Sequence, residues 1–228
     1  MKILRTWGFL TNHAHVLIQI ARNPRSTVRE IALATGITER AAISLLQDLR
    51  ISGIAIAERE GRQNIYWVDM AAMENRSSWA ASDSNVEIPR ALMEATVRGL
   101  SRLAARNGGR GKRPAVGIDR AVRAGAERRW GFLTTHALLL IHVIQHPRST
   151  VREIALAVGV TERAAHSALQ DLREAGIIER HREGRRNRYT VNFDHLASYR
   201  REGTAPDLVP GAFVSFLLKA LLELRPAV

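Results

Sequence analysis

The chain of 228 residues contains no cysteine. That removes disulfides, thiolate metal sites and cysteine nucleophiles. It also lacks a phosphate-cradling glycine loop, a Gly-x-Ser-x-Gly elbow and an HExxH pair, so nothing in it points to catalysis and no cofactor is expected. Long apolar runs are missing too. The most apolar late stretch, 212–222, carries Lys219 and falls far short of the roughly 20 residues that span a bilayer. The opening Met1-Lys2-Ile3 followed by 7–20 has the outline of a signal peptide. His13 and His15 interrupt that run, however, and much the same segment recurs from Trp130. The expectation is a soluble, cytoplasmic protein with no membrane partner.

What the chain has in excess is arginine, which supplies 31 of the 34 basic residues and leaves a net charge of +12. The excess is shared, +7 before residue 118 and +5 from there on. A basic surface on both halves suits a polyanion, most commonly nucleic acid. A hydrophobic content of 46% is ordinary for a globular protein, and the length allows two small domains.

The chain is internally duplicated. Trp-Gly-Phe-Leu-Thr at 7–11 returns at 130–134, and the eleven residues 24–34 return unbroken at 147–157. Residues 38–42 return at 161–165, and 47–50 at 170–173. The offset is 123 residues throughout, and about two-thirds of positions from 7 to 69 match. The segment 107–117, rich in glycine and basic residues, reads as a flexible linker between domains at 1–106 and 118–228. Residues 118–129 have helical composition and read as a lead-in to the second copy.

Each copy parses alike. Residues 11–21 predict a helix ended by Asn23-Pro24. Thr27-Val-Arg-Glu30 is a capping box opening a short helix over 28–35, and Gly36 suits the tight turn after it. Thr38 caps a third helix that runs to about Ile51 and is ended by Gly53. Residues 54–57 and 65–68 can then pair as strands. Helix, helix, turn, helix, hairpin is the order of a winged helix. The fold class expected is mainly α with small β-hairpin wings, two tandem winged helix-turn-helix domains forming an intramolecular pseudo-dimer. After each hairpin, Pro89 and Pro210 suit a first helical turn. The second of these helices carries a stripe of Phe213, Phe216, Leu217, Ala220, Leu221 and Leu224, the first a weaker one of Met93, Val97, Leu100 and Ala104. Both stripes are expected to pack against the opposite copy.

In a helix-turn-helix the second helix enters the major groove while the first braces it. Burial of Ile31, Ala32, Ile37, Ala42, Leu46 and Leu49 would leave Thr38, Glu39, Arg40, Ile43, Ser44 and Gln47 exposed. Their second-copy equivalents are Thr161, Glu162, Arg163, His166, Ser167 and Gln170. Arginine pairs with guanine, glutamine with adenine, and an apolar tip packs on the thymine methyl. The hairpin tips add Arg59, Arg62 and Asn64, and Arg182, Arg185, Arg186 and Asn187, suited to phosphates or the minor groove. Arg25, Arg29, Arg148 and Arg152, at the start of the bracing helix, suit either phosphate or solvent equally. Of the histidines, only His13 and His136 correspond between copies. His13 and His15, two apart on a helix, make a poor chelate, so no metal site is expected.

The Thr-Glu-Arg-Ala-Ala helix start and the Arg-Glu-Gly-Arg-x-Asn-x-Tyr hairpin resemble those of small bacterial winged-helix transcription regulators of the MarR/ArsR-like kind. The resemblance covers 7–69 and 130–192. It implies sequence-specific binding of double-stranded DNA by a dimer, here with both halves in one chain, and further homo-dimerisation is left open. It leaves any small-molecule effector unnamed. An architectural DNA-binding protein of low specificity and a protein-docking module are the alternatives.

Overall fold

In the computed structural model the described residues are 8–74, 79, 84–106, 131–184 and 186–198. Caps written into the sequence open the helices. Thr11, Thr27 and Thr38 hold extended backbone, and each side-chain oxygen accepts an N–H three residues on. They start α1 (Asn12–Arg22), α2 (Val28–Thr35) and α3 (Glu39–Ile51). Two of these boundaries coincide with the sequence reading, and α1 differs by one residue because Thr11 is the cap. At Thr27 the box is complete: Glu30 accepts the threonine N–H at 2.7 Å, which holds its carboxyl below the ordinary value. Gly36 ends α2 at φ +69, a left-handed conformation that a Cβ would penalise.

α3 leads into β1 (Ala55–Glu60), antiparallel to β2 (Gln63–Val68). Glu60 pairs with Gln63, leaving a two-residue turn headed by Gly61 at φ +61. The strands thus run to the turn, beyond the apolar residues that mark them in sequence, because backbone pairing carries the ladder through Glu58, Arg59 and Asn64. A short helix, α4 (Met70–Glu74), follows, with Asp69 accepting the Ala72 N–H. Then comes α5 (Arg90–Arg106). The order repeats as α6 (Thr135–Gln145), α7 (Val151–Val158), α8 (Glu162–Glu174), β3 (Ile178–Glu183), β4 (Arg186–Val191) and α9 (Phe193–Ser198). The described chain is mainly helical with two small antiparallel hairpins. Among the described residues, no helix is long and apolar enough to cross a membrane. The linker, the lead-in 118–129 and the second apolar stripe lie outside the described residues.

The core is built around α1 and α6. α2 and α3 pack on α1, α7 and α8 on α6, and β2 and β4 close against the same two helices. Every residue from Ala137 to Ile144 is buried, so α6 is covered on all sides. The first of the late helices departs from expectation. α5 packs on α1 of its own copy, burying Leu92, Ala95, Val97, Leu100 and Leu103. The reason lies in α1, which is apolar around most of its circumference. Val16, Leu17, Ile18 and Ile20 are all at most 1% exposed, and α2 with α3 cover only part of that surface.

What reaches the other copy is the extended chain before α5. The Asn85 N–H donates to the Ala157 carbonyl at 2.6 Å, and Gln145 donates to the Glu87 carbonyl at 3.2 Å. Trp79, buried, receives the Phe132 N–H on its carbonyl at 2.9 Å and meets the Phe132 ring edge-on, with centroids 5.2 Å apart.

The repeated Gly-Phe-Leu-Thr segments meet each other. Leu10 and Leu133 form an antiparallel bridge; the Thr11 N–H donates to the Phe132 carbonyl at 3.1 Å and the Thr134 N–H to the Phe9 carbonyl at 3.0 Å. The hydroxyls follow the same exchange, Thr11 donating to the Gly131 carbonyl and Thr134 to that of Gly8. Residue i meets j and j meets i, so the contact has a local two-fold. Each threonine caps its own helix and bonds the opposite copy with one hydroxyl. Replacing both, T11A/T134A, removes two caps and two cross-copy bonds. At about 1 kcal/mol for each cap and each bond, urea unfolding should show a loss of about 2–4 kcal/mol. A loss no larger than about 0.5 kcal/mol would mean that neither the caps nor the cross-copy hydroxyl bonds contribute.

One buried polar contact has been rebuilt between copies. Gln19 donates to the Ser26 hydroxyl at 3.3 Å, whereas His142 Nε2 stands 3.1 Å from the Ser149 hydroxyl. Burial, reinforced by His146 and opposed by Glu153, lowers the His142 pKa. The unfolded chain then takes up a proton below about pH 6.5 that the folded one resists, so this contribution is complete above that pH and is lost as pH falls below it. The Tm of H142Q, which installs the first copy's residue, should fall less than the parent's between about pH 7 and 5. Parallel Tm–pH curves would refute this role for His142.

Candidate nucleic-acid interface

The face opposite the buried Ala42, Leu46 and Leu49 of α3 carries the residues chosen from sequence. Thr38, Glu39, Arg40, Ile43, Ser44 and Gln47 are all exposed, Ile43 by 53%. Its apolar tip sits among donors and acceptors. On α8, Thr161, Glu162, Arg163, His166 and Gln170 are exposed in the same arrangement. Ser167 departs from it. It is half-buried beside the buried Ala168, at the edge of the face.

The threonines at the head of each face already accept the Ala41 and Ala164 N–H groups at 3.2 Å, so each retains its hydroxyl proton for a further acceptor. Gln170 donates to Glu174 at 3.0 Å. The equivalent neighbour of Gln47 is Ile51, so the two glutamines are not equally placed.

Both helices are held in the same way. His13 Nε2 lies 3.3 Å from Asp48 and His136 Nε2 3.1 Å from Asp171, tying the first helix of each copy to the third. The Tyr66 N–H donates to the Pro24 carbonyl and the Tyr189 N–H to that of Pro147, both at 2.8 Å, tying each hairpin to the loop before α2 or α7. Among the described residues, no three His, Asp or Glu side chains gather to hold a metal.

At the hairpin tips Arg59, Arg62, Asn64, Arg182 and Arg186 are exposed and Asn187 is half-buried; Arg185 lies outside the described residues. Arg59 and Arg182 each donate Nε to the carbonyl of the turn glycine, at 3.2 and 3.3 Å, which uses one of five guanidinium donors. The register places Arg59 opposite Asn64 and Arg182 opposite Asn187, on one face of each hairpin. Arg25 forms an ion pair with Glu60, and Arg148 forms one with Glu183 at 3.2 Å. These two arginines offset Glu60 and Glu183, the glutamate next to each turn, so these no longer cancel the tip arginines. Arg29 and Arg152 are exposed, as are Leu33 (83%) and Leu156 (76%) on the same two helices, α2 and α7.

Choosing residues by their recurrence missed two exposed arginines of the second hairpin, Arg180 and Arg188, whose first-copy equivalents are Ala57 and Ile65. The signal that could have found them is their charge within the paired stretches on either side of the turn, since they lie on opposite faces of the hairpin and alternation singles out neither pair.

A model of the HVO_A0114 family matches residues 132–197, a stretch that runs from the junction segment into α9. No curated protein and no solved structure matches the chain.

Proposed function

We propose that this protein is a transcription regulator that binds double-stranded DNA in a sequence-specific manner, as two winged helix-turn-helix domains joined into one intramolecular pseudo-dimer. On this reading α3 and α8 enter successive major grooves, and the hairpins lie along the backbone or in the minor groove. The single observation that carries it is the repeated pairing of an exposed Thr-Glu-Arg helix face with an arginine-tipped hairpin. It occurs twice in a chain of net charge +12. The reciprocal contacts of Thr11 and Thr134 support the pseudo-dimer, because an isologous junction turns two equivalent helices toward two half-sites related by a two-fold. Fusion makes the docking of the halves independent of protein concentration.

The faces are not identical. Ile43 offers an apolar tip where His166 offers a hydrogen-bonding ring, so the half-sites are related but unequal. Selection of bound duplexes from a random library at about 150 mM salt, where non-specific attraction is weakened, should recover such a motif. Arg40→Ala and Arg163→Ala should each weaken binding to the recovered site by about tenfold to a hundredfold. Binding without enrichment would replace this reading with a low-specificity architectural role. No binding would replace it with a protein-docking role, and perfectly palindromic sites would overturn the asymmetry.

A further inference from the structure

The two hairpins differ in charge far more than the helices they follow. Over 55–68 the first carries two arginines and two glutamates, a net charge of zero. Over 178–191 the second carries five arginines and two glutamates, a net charge of +3. The added charges are Arg180, Arg186 and Arg188, where the first copy has Ala57, Gln63 and Ile65. All three are exposed. The register sets Arg180 and Arg182 on one face of the hairpin, with Tyr189 and Asn187, and Arg186 and Arg188 on the other, with Glu183 and His181. Glu183 is engaged by Arg148 and Arg188, each at 3.2 Å, and among the described residues Arg180 and Arg186 make no close ion pair, Arg186 acting on the Glu153 carboxylate only at longer range. His181 is turned to the Thr190 hydroxyl at 3.1 Å and to Glu179 at 3.4 Å, which occupies the other acid of the hairpin.

We infer that the second hairpin is the phosphate anchor of the molecule, gripping the DNA backbone beside its half-site while the first hairpin contributes little charge. The inference rests on the DNA-binding reading above and adds a division of labour to it. Repeats with nearly identical helices would otherwise carry nearly identical hairpins. Here the helix face kept all its residue types but one, Ile43 against His166, and the hairpin gained three positive charges spread over both of its faces, where they meet phosphates from either wall of a groove. Such contacts carry no base information, but they release counterions. The affinity then depends on salt mainly through one half of the chain.

The test is the slope of log K against log[salt] for the full chain on the selected duplex, between about 50 and 300 mM salt. R180A/R186Q, which installs the first copy's residues at two exposed positions, should make the slope shallower by about 1.8, at about 0.9 per lost phosphate contact. R90A/R98A removes the same charge from α5, away from the hairpins, and should leave the slope within about 0.3 of the parent's. Circular dichroism melts confirm that both variants fold. Hydroxyl-radical footprints should show R180A/R186Q losing backbone protection at one end of the site only. An unchanged slope in R180A/R186Q, an equal change in R90A/R98A, or symmetric loss of protection would each overturn the anchor. Failure of the parent to bind any duplex would instead sink the DNA-binding reading itself, and the anchor with it.

Discussion

The structure turns on one exchange of hydrogen bonds, between Gly8–Thr11 and their counterparts at Gly131–Thr134. Two N–H groups, two hydroxyls and one pair of leucines meet across a local two-fold. Each threonine sits where α1 or α6 begins, so the contact that joins the copies also sets the origin of the helix around which each copy is packed. The third helices and hairpins are referred to those central helices through His13–Asp48 and His136–Asp171, and through the Tyr66 and Tyr189 amides. A shift at the junction would therefore carry both exposed faces with it. Isologous contacts of this kind ordinarily hold separate subunits; covalent linkage removes the translational entropy that two chains would lose in meeting.

Duplication has preserved the frame and varied what it presents. The capping boxes, turn glycines and His–Asp pairs recur with the same partners. Differences fall on the surface, with Ile43 and His166 on the helix faces and Ala57 and Arg180 on the hairpins, and also inside, where buried Val16, Ile20 and Ala21 correspond to Leu139, Val143 and Ile144 and where Gln19 and His142 meet equivalent serines. The frame positions satisfy backbone donors and bury apolar area, and their loss costs on the order of 1 kcal/mol or more each. An exposed position carries no such constraint and is free to diversify a binding surface. The two-fold is accordingly one of backbone, caps and turns, while the outer surface has two distinct halves and the central helices are repacked with other apolar residues.

Much of this was legible in the residues alone. Caps, helix spans and the glycines that end helices depend on groups within four residues of one another, so Thr27-Val-Arg-Glu30 or Gly36 declares its structure wherever the chain places it. The exposed faces of α3 and α8 followed from periodicity, and only Ser167 proved half-buried. α4 and α9, of five and six residues, are too short for periodicity to reveal and rest on single capping side chains at Asp69 and Asn192.

Tertiary structure decided the rest. Where α5 packs depended on how much of α1 its neighbours left uncovered, a property of assembled surfaces that no local pattern encodes. The ion pairs of Arg25 with Glu60 and Arg148 with Glu183 join residues 35 apart, and they decide which basic charges remain to face a partner. The Gly-Phe-Leu-Thr repeat was visible as a repeat, yet its role as the junction was not, because its partner lies about 120 residues away. By itself the sequence determined the elements and their duplication, since short-range hydrogen bonds and periodicity are local. Only packing determined which copy each element serves, since burial is a competition among all the apolar surfaces of the chain at once.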